Sequence, residues 1–174
     1  MKKTKYLFAL LFSIVLLSCS SDDDSSQNDE SSIEGVWDLT AMEMEGTAEY
    51  TMEGIPFPIV FTFEGYGIDI DSQTVFEVNP NTVASFGTLT LVVTIDLMGE
   101  TTTEEMPIDF AEYVSSGSWQ IEGDQLIIID DEGNESTSQI EQLTSTTLVF
   151  TVNETIEYEG VPMDFEAVVT YTKA

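Results

Sequence analysis

Thr88-Leu89-Thr90-Leu91-Val92-Val93-Thr94-Ile95-Asp96-Leu97 is the stretch on which the fold turns. Leu89, Leu91, Val93, Ile95 and Leu97 alternate against Thr88, Thr90, Thr94 and Asp96. That is the two-residue period of a strand with one face in a core and the other in water. Upstream, Phe57, Ile59, Phe61 and Phe63 alternate against Pro58, Thr62 and Glu64, and Gly35, Trp37, Leu39 and Ala41 against Glu34, Asp38 and Thr40. Downstream, Leu148, Phe150 and Val152 face away from Thr147, Thr151 and Asn153, and Phe165, Val169 and Tyr171 from Glu166, Thr170 and Thr172. Leu126 to Ile129 is continuously apolar and reads as a strand partly covered on both faces. Turn residues separate the runs at Asn79-Pro80-Asn81, Glu122-Gly123-Asp124 and Asp131-Glu132-Gly133-Asn134. Glu104 to Val114 has loosely helical spacing, but Pro107 interrupts it. The pattern predicts an all-β, antiparallel up-and-down meander of about 8–10 strands around one enclosed core. Closure into a barrel would also remove exposed strand edges.

Composition narrows the chemistry. The 174 residues hold 33 Asp and Glu against four Lys and no Arg or His, a formal charge of −29. Three of the lysines are Lys2, Lys3 and Lys5, leaving Lys173 alone in the rest of the chain. Nucleic-acid binding and docking on anionic lipid through a basic patch both lack their cations. Histidine-dependent triads and metal sites are excluded as well. A hydrophobic fraction of 42%, with ten Phe, six Tyr and two Trp, is too high for a disordered acidic chain and suits one domain.

Residues 1–18 read as a signal peptide: basic MKKTK, then the apolar run Tyr6–Leu17, too short to span a bilayer as a helix. Leu16-Leu17-Ser18-Cys19 resembles the lipobox of bacterial lipoproteins. The resemblance implies cleavage before Cys19 and acylation of its sulfur and amine. Cys19 is the only cysteine and has no disulfide partner in the chain, and several acyl chains together give stable membrane anchoring. Residues 19–32 then form an acidic Ser/Asp tether with an expected span of about 20 Å. Its SSDDD run resembles the surface-export signal of lipoproteins of the Bacteroidetes. The location implied is the outer membrane, lipid-anchored, on its periplasmic or its outer face.

Within the domain, residues 33–174, one element recurs. Glu53-Gly54-Ile55-Pro56-Phe57-Pro58-Ile59, Glu104-Glu105-Met106-Pro107-Ile108-Asp109-Phe110 and Glu159-Gly160-Val161-Pro162-Met163-Asp164-Phe165 share a Pro flanked by apolar residues. These read as three hairpin tips. Brought to one rim, Ile55, Phe57, Met106, Ile108, Val161 and Met163 would make a mouth or contact patch.

Two G-x-W strands, Ile33-Glu34-Gly35-Val36-Trp37-Asp38-Leu39 and Gly117-Ser118-Trp119-Gln120-Ile121, with the later Ile140-Glu141-Gln142-Leu143-Thr144 to Leu148-Val149-Phe150 pair, resemble the lipocalin-like domains of Bacteroidetes lipoproteins. The resemblance implies that Trp37 closes the barrel base, with Trp119 a second core aromatic, and that an Arg should cover Trp37. There is no Arg, and the cation left for that place is Lys173. It also implies a non-catalytic module without a cofactor, binding a small apolar ligand or an envelope partner. Phe57, Phe61, Phe63, Phe76, Phe86, Phe150 and Phe165 are bulky candidates for the interior, and alternation describes a hollow barrel and a filled one alike.

Two other chemistries have footholds. Glycosidic cleavage needs two carboxyls about 5–9.5 Å apart, yet with five of the 33 acids in the tether the remaining 28 offer many pairs and mark none. Asp130-Asp131-Glu132-Gly133-Asn134-Glu135 offers hard oxygen ligands for calcium, but its spacing is a hairpin turn's rather than an EF-hand's. A plain structural or adhesive surface module with a solid core is the remaining alternative.

Overall fold

Alternating runs joined by short turns pair most readily with the run that follows, and most of them do. The computed structural model describes residues 32–51, 57–113, 116–158 and 161–174; Cys19, the signal peptide, the tether up to residue 31 and Ile55 lie outside them. Nine strands follow in chain order: β1 (Gly35–Tyr50), β2 (Ile59–Glu77), β3 (Thr82–Leu97), β4 (Glu100–Asp109), β5 (Gly117–Glu122), β6 (Gln125–Asp130), β7 (Glu135–Leu143), β8 (Thr147–Tyr158) and β9 (Val161–Lys173), with one helical turn, α1 (Phe110–Tyr113), between β4 and β5. The sheet order is β2-β1-β9-β8-β7-β6-β5-β3-β4, and β2 also pairs with β3. The ring therefore closes through eight strands, leaving β4 outside it on the edge of β3.

Closure is confined to one end. Among the described residues, β5 meets β3 only at Thr82↔Ser118 and Val83↔Gly117. From Thr88 to Leu97 the same edge of β3 is taken by β4. On the far side, β7 accompanies β8 only from Leu148 to Thr151. The molecule is thus a closed eight-stranded base continuing into an open six-stranded sheet, β4-β3-β2-β1-β9-β8.

A belt of irregularities separates the halves. Register shifts fall between Leu39 and Ala41, and between Ile68 and Asp71. Asp69 takes φ 49° and Gly87 φ 94°. A Cβ on Gly87 would collide with the Asp71 carbonyl, so the close approach of β2 and β3 at this bend requires glycine. Bulges bend strands and re-aim their side chains, and here they mark where the barrel opens.

The base is filled. Trp37 and Leu148 are wholly buried (0% exposed), with Tyr171, Leu126, Phe76, Leu89 and Val83 packed among them. Phe110 of α1 joins the same core. Trp37 Nε1 donates to the Ile33 carbonyl at 2.7 Å. Trp119, half-buried, donates to the Glu77 carbonyl at 3.0 Å and meets Phe76 edge-on at 5.9 Å. Three polar side chains also point inward: Thr74 Oγ1 lies 2.9 Å from Ser85 Oγ and donates to Tyr171 Oη at 3.3 Å. Burial pushes the Tyr171 phenol well above its ordinary pKa, partly offset by the Thr74 hydroxyl. Among the described residues every buried polar side-chain atom has a partner, as a dry core demands.

Two expectations are corrected. Pro107 is no hairpin tip: it lies within β4, paired with Thr90, and the turn is made by Met98-Gly99, at φ 55° and 86°. Proline is tolerated there because β4 is an edge strand. Phe57 and Phe86 are not interior: both are more than half exposed, Phe86 because it alternates with inward Ser85 and pairs with Gln73 on the outer face. The stretch with loosely helical spacing is strand to Asp109 and makes one helical turn, Phe110–Tyr113, in keeping with the expected all-β meander.

Lys173 takes the place over the Trp37 ring, its Nζ 5.0 Å from the ring centroid and donating to the Ser32 carbonyl at 3.4 Å. Gly35, at φ 130°, leaves room for it, since a Cβ there would sit 2.8 Å from Lys173 Cε. Lys173→Met keeps most of the stem and removes the charge; it should lower stability by about 0.5–1 kcal/mol, read from the urea midpoint. In the β6–β7 turn, Asp130 Oδ1 accepts from the backbone N–H of Glu132 (2.9 Å) and Asn134 (2.8 Å), and Oδ2 from Asn134 Nδ2 (2.8 Å). Chiefly through the Asn134 amide, these bonds hold the Asp130 carboxyl below the ordinary aspartate value. A depressed folded-state pKa contributes stability that is present above the unfolded value and is lost as pH falls through the folded one. Asp130→Asn should therefore lower the thermal midpoint at neutral pH, with the gap closing in acid below the aspartate range.

Candidate functional site

Sheet register places the side chains of the open half in layers. On the inner face, Ile95, Phe63, Gly46 and Phe165 share one level, because Phe63 pairs with both Ile95 and Gly46, and Gly46 with Phe165. Leu97, Phe61, Ala48 and Met163 form the next level towards the open end. Tyr50, opposite Ile59, stands above them. A Cβ on Gly46 would collide with the Phe63 ring, so that ring lies directly on the Gly46 backbone. Phe63 is buried, whereas Phe61, Ile95, Met163 and Phe165 are only half-buried, and Leu97 and Tyr50 are exposed. The inner face is thus an apolar mouth with Phe63, Ile95 and Phe165 as floor and Ala48, Phe61, Leu97 and Met163 as walls. Three carboxylates share this face, each of them exposed: Glu154, opposite Phe165 on β8, and Glu100 and Glu104, opposite Leu97 and Val93 on β4.

The repeated Pro element distributes over this surface. Met163 is a wall of the mouth, and Val161, two residues earlier on β9, shares its face. Phe57 precedes β2 at the same end and is 57% exposed. Met106 and Ile108 also face inward, opposite Leu91 and Leu89. They sit lower: Met106 is at the level of Gly67 and Met42, three layers and about 20 Å along the strands from Met163, and Ile108 is one layer further. The mouth and the lower pair are therefore separate places on one inner face. The aromatics that line the mouth were visible as inward candidates; Ala48, Gly46 and Glu154 were not, because small residues and a lone acid carry no periodic signal.

The outer face of the same sheet carries the charge. Glu166, Glu45 and Glu64 stand side by side on β9, β1 and β2, with Asn153 and Thr94 at the ends of the row. The neighbouring row reads Thr155, Asp164, Thr47, Thr62, Asp96. A depression of about 980 Å³ lies along these rows, and one of about 530 Å³ beside Glu43 and Tyr66. Like charges directly opposite across strands are destabilising, so this face holds a local cost. Among the described residues no group of three or more Asp, Glu or Cys is placed to hold a metal ion. At the β6–β7 turn considered for calcium, both Asp130 oxygens are engaged by donors of the turn itself.

No curated protein and no solved structure matches the chain. A sequence model of one family, described as a lipocalin-like domain, does match, over residues 33–150. That span runs from the first barrel-closing strand into β8 and includes the Trp37 base and most of the mouth. With an antiparallel barrel filled at one end and apolar at the other, the chain belongs to the lipocalin-like domain family.

Proposed function

We propose that this chain is a cell-envelope lipoprotein, acylated at Cys19 and anchored in the outer membrane, whose domain is a non-catalytic module binding a small apolar ligand. Lipocalin-like domains are in general binding modules for such ligands. The observation that carries the reading here is the contrast between the two ends. The base closes on wholly buried side chains, while the mouth keeps half-buried apolar side chains over a small-residue patch at Gly46 and Ala48. Exposed apolar surface set in a polar surround marks binding sites. The described chain enters at the closed end, where Ser32 contacts Lys173.

Charge selects the ligand. Around the mouth stand Glu49, Asp96, Glu100, Glu154 and Asp164, and the one lysine among the described residues is at the other end. An anionic lipophile is therefore repelled, and a neutral or cationic one suits the site. A neutral apolar fluorophore should bind, and a long-chain fatty-acid anion should not. Leu97→Glu and Tyr50→Glu, both at exposed positions, should each weaken the neutral probe by roughly tenfold, while Val36→Glu in the base strand leaves it unchanged. Binding indifferent to all three, or none by native mass spectrometry, would favour a purely structural surface module. For the anchor, Cys19→Ala should move the protein from the membrane to the soluble fraction.

A further inference from the structure

We propose that the unpaired edge of β8, from Val152 to Tyr158, receives an extended, lysine- or arginine-rich segment of a partner protein as an added strand. Beyond Thr151, β8 has β9 on one side and, among the described residues, no strand on the other. Alternate residues of such a strand direct N–H and C=O groups outward, which is a template for pairing with another chain. The other free edge, β4, is blunted by Pro107, whose missing N–H interrupts any added ladder. β8 has no such device. Its pairing with β9 runs from Thr147 to Tyr158 without a register shift, and the segment Val152–Tyr158 contains neither proline nor lysine.

Its only guard is negative charge, and that guard is selective. Glu154 stands on the inner face of the edge, and Asn153 and Thr155 on the outer face lead directly to Glu166 and Asp164 on β9. These residues line the depression of about 980 Å³ that continues to Glu45, Glu64 and Asp96. A second copy of this chain would bring the same acids against each other, whereas a basic strand meets Glu154, Glu166 and Asp164 at the level of 153–155 and relieves the Glu166–Glu45–Glu64 row. Alternation would send its cations over the outer face and its intervening side chains towards half-buried Val152. The occupant is thus a peptide with basic and apolar residues in alternation. This is independent of whether the mouth holds a small ligand.

The test uses the full chain and a short synthetic peptide alternating lysine and valine, at low salt. The peptide should bind, and amide exchange should slow within 152–158. Two derivatives N-methylated on opposite alternate positions keep every charge; one of them should bind roughly tenfold more weakly. Asn153→Lys and Glu154→Lys, both exposed, should weaken the peptide without altering the circular dichroism spectrum. Three results would overturn the proposal. They are no binding, equal binding of both N-methylated forms with no slowing at 152–158 (adsorption on the acidic face), or slowing of those amides by dimerisation in the absence of peptide.

Discussion

The fold hangs on a seam of two residue pairs. Among the described residues, Thr82↔Ser118 and Val83↔Gly117, with the Trp119 N–H donating to the Asn81 carbonyl beside them, join β3 to β5 and turn a nine-stranded sheet into a barrel. A Cβ on Gly117 would strike the Ile129 carbonyl, so only glycine lets β5 lie this close to β6 while it reaches β3. Everything above the seam follows from what β3 does next. From Thr88 onward its edge belongs to β4, so β5 cannot follow, and the ring must open at that height. The open half, its two edges and the apolar mouth are consequences of that one change of partner.

The base can bear this because it is dense and fully satisfied. Trp37 under Lys173, the Thr74–Ser85–Tyr171 trio and Phe76 against Trp119 combine burial with hydrogen bonds that have no better alternative. A buried phenol held in its neutral form is a cost only if its hydroxyl lacks a partner, and Thr74 supplies one. The open half lacks such reserves. It places three glutamates in a row and leaves half its inner wall in contact with water. Stability resides at one end and adaptable surface at the other.

Much of this architecture was legible in the alternation, and the reason is physical. A strand with one wet face must repeat every two residues, so β1, β2, β3, β8 and β9 announce themselves, and the buried run Leu126–Ile128 announces β6. Partner choice is different. Nothing in Glu100-Thr101-Thr102-Thr103-Glu104-Glu105-Met106-Pro107 distinguishes a loop from an edge strand, because an edge strand exposed on both faces has no hydrophobic period and tolerates proline. Thr74 and Ser85 look like wet-face residues for the same reason: polarity is read as exposure unless the partner hydroxyls, 11 residues apart, are known to meet. At the candidate site, the phenylalanines were visible by size, whereas the level at which each one stands depends on the bulges at Thr40 and Asp69. Register converts a list of apolar residues into a floor and walls, and periodicity does not carry register across a bulge.

Acidity now divides into two roles that composition merges. On turns such as Asp130–Asn134 the carboxylate is a local acceptor that organises backbone donors. On the outer face of the open sheet it is an unneutralised field, because the sole lysine among the described residues is committed to Trp37 at the far end. One lysine among the described residues cannot both lock the base and balance the upper sheet. The base takes the cation because there it is stacked on a ring and hydrogen-bonded, whereas a surface pair on the open sheet would contribute little. The uncompensated face is the residue of that allocation, and it fixes the sign of anything that binds there.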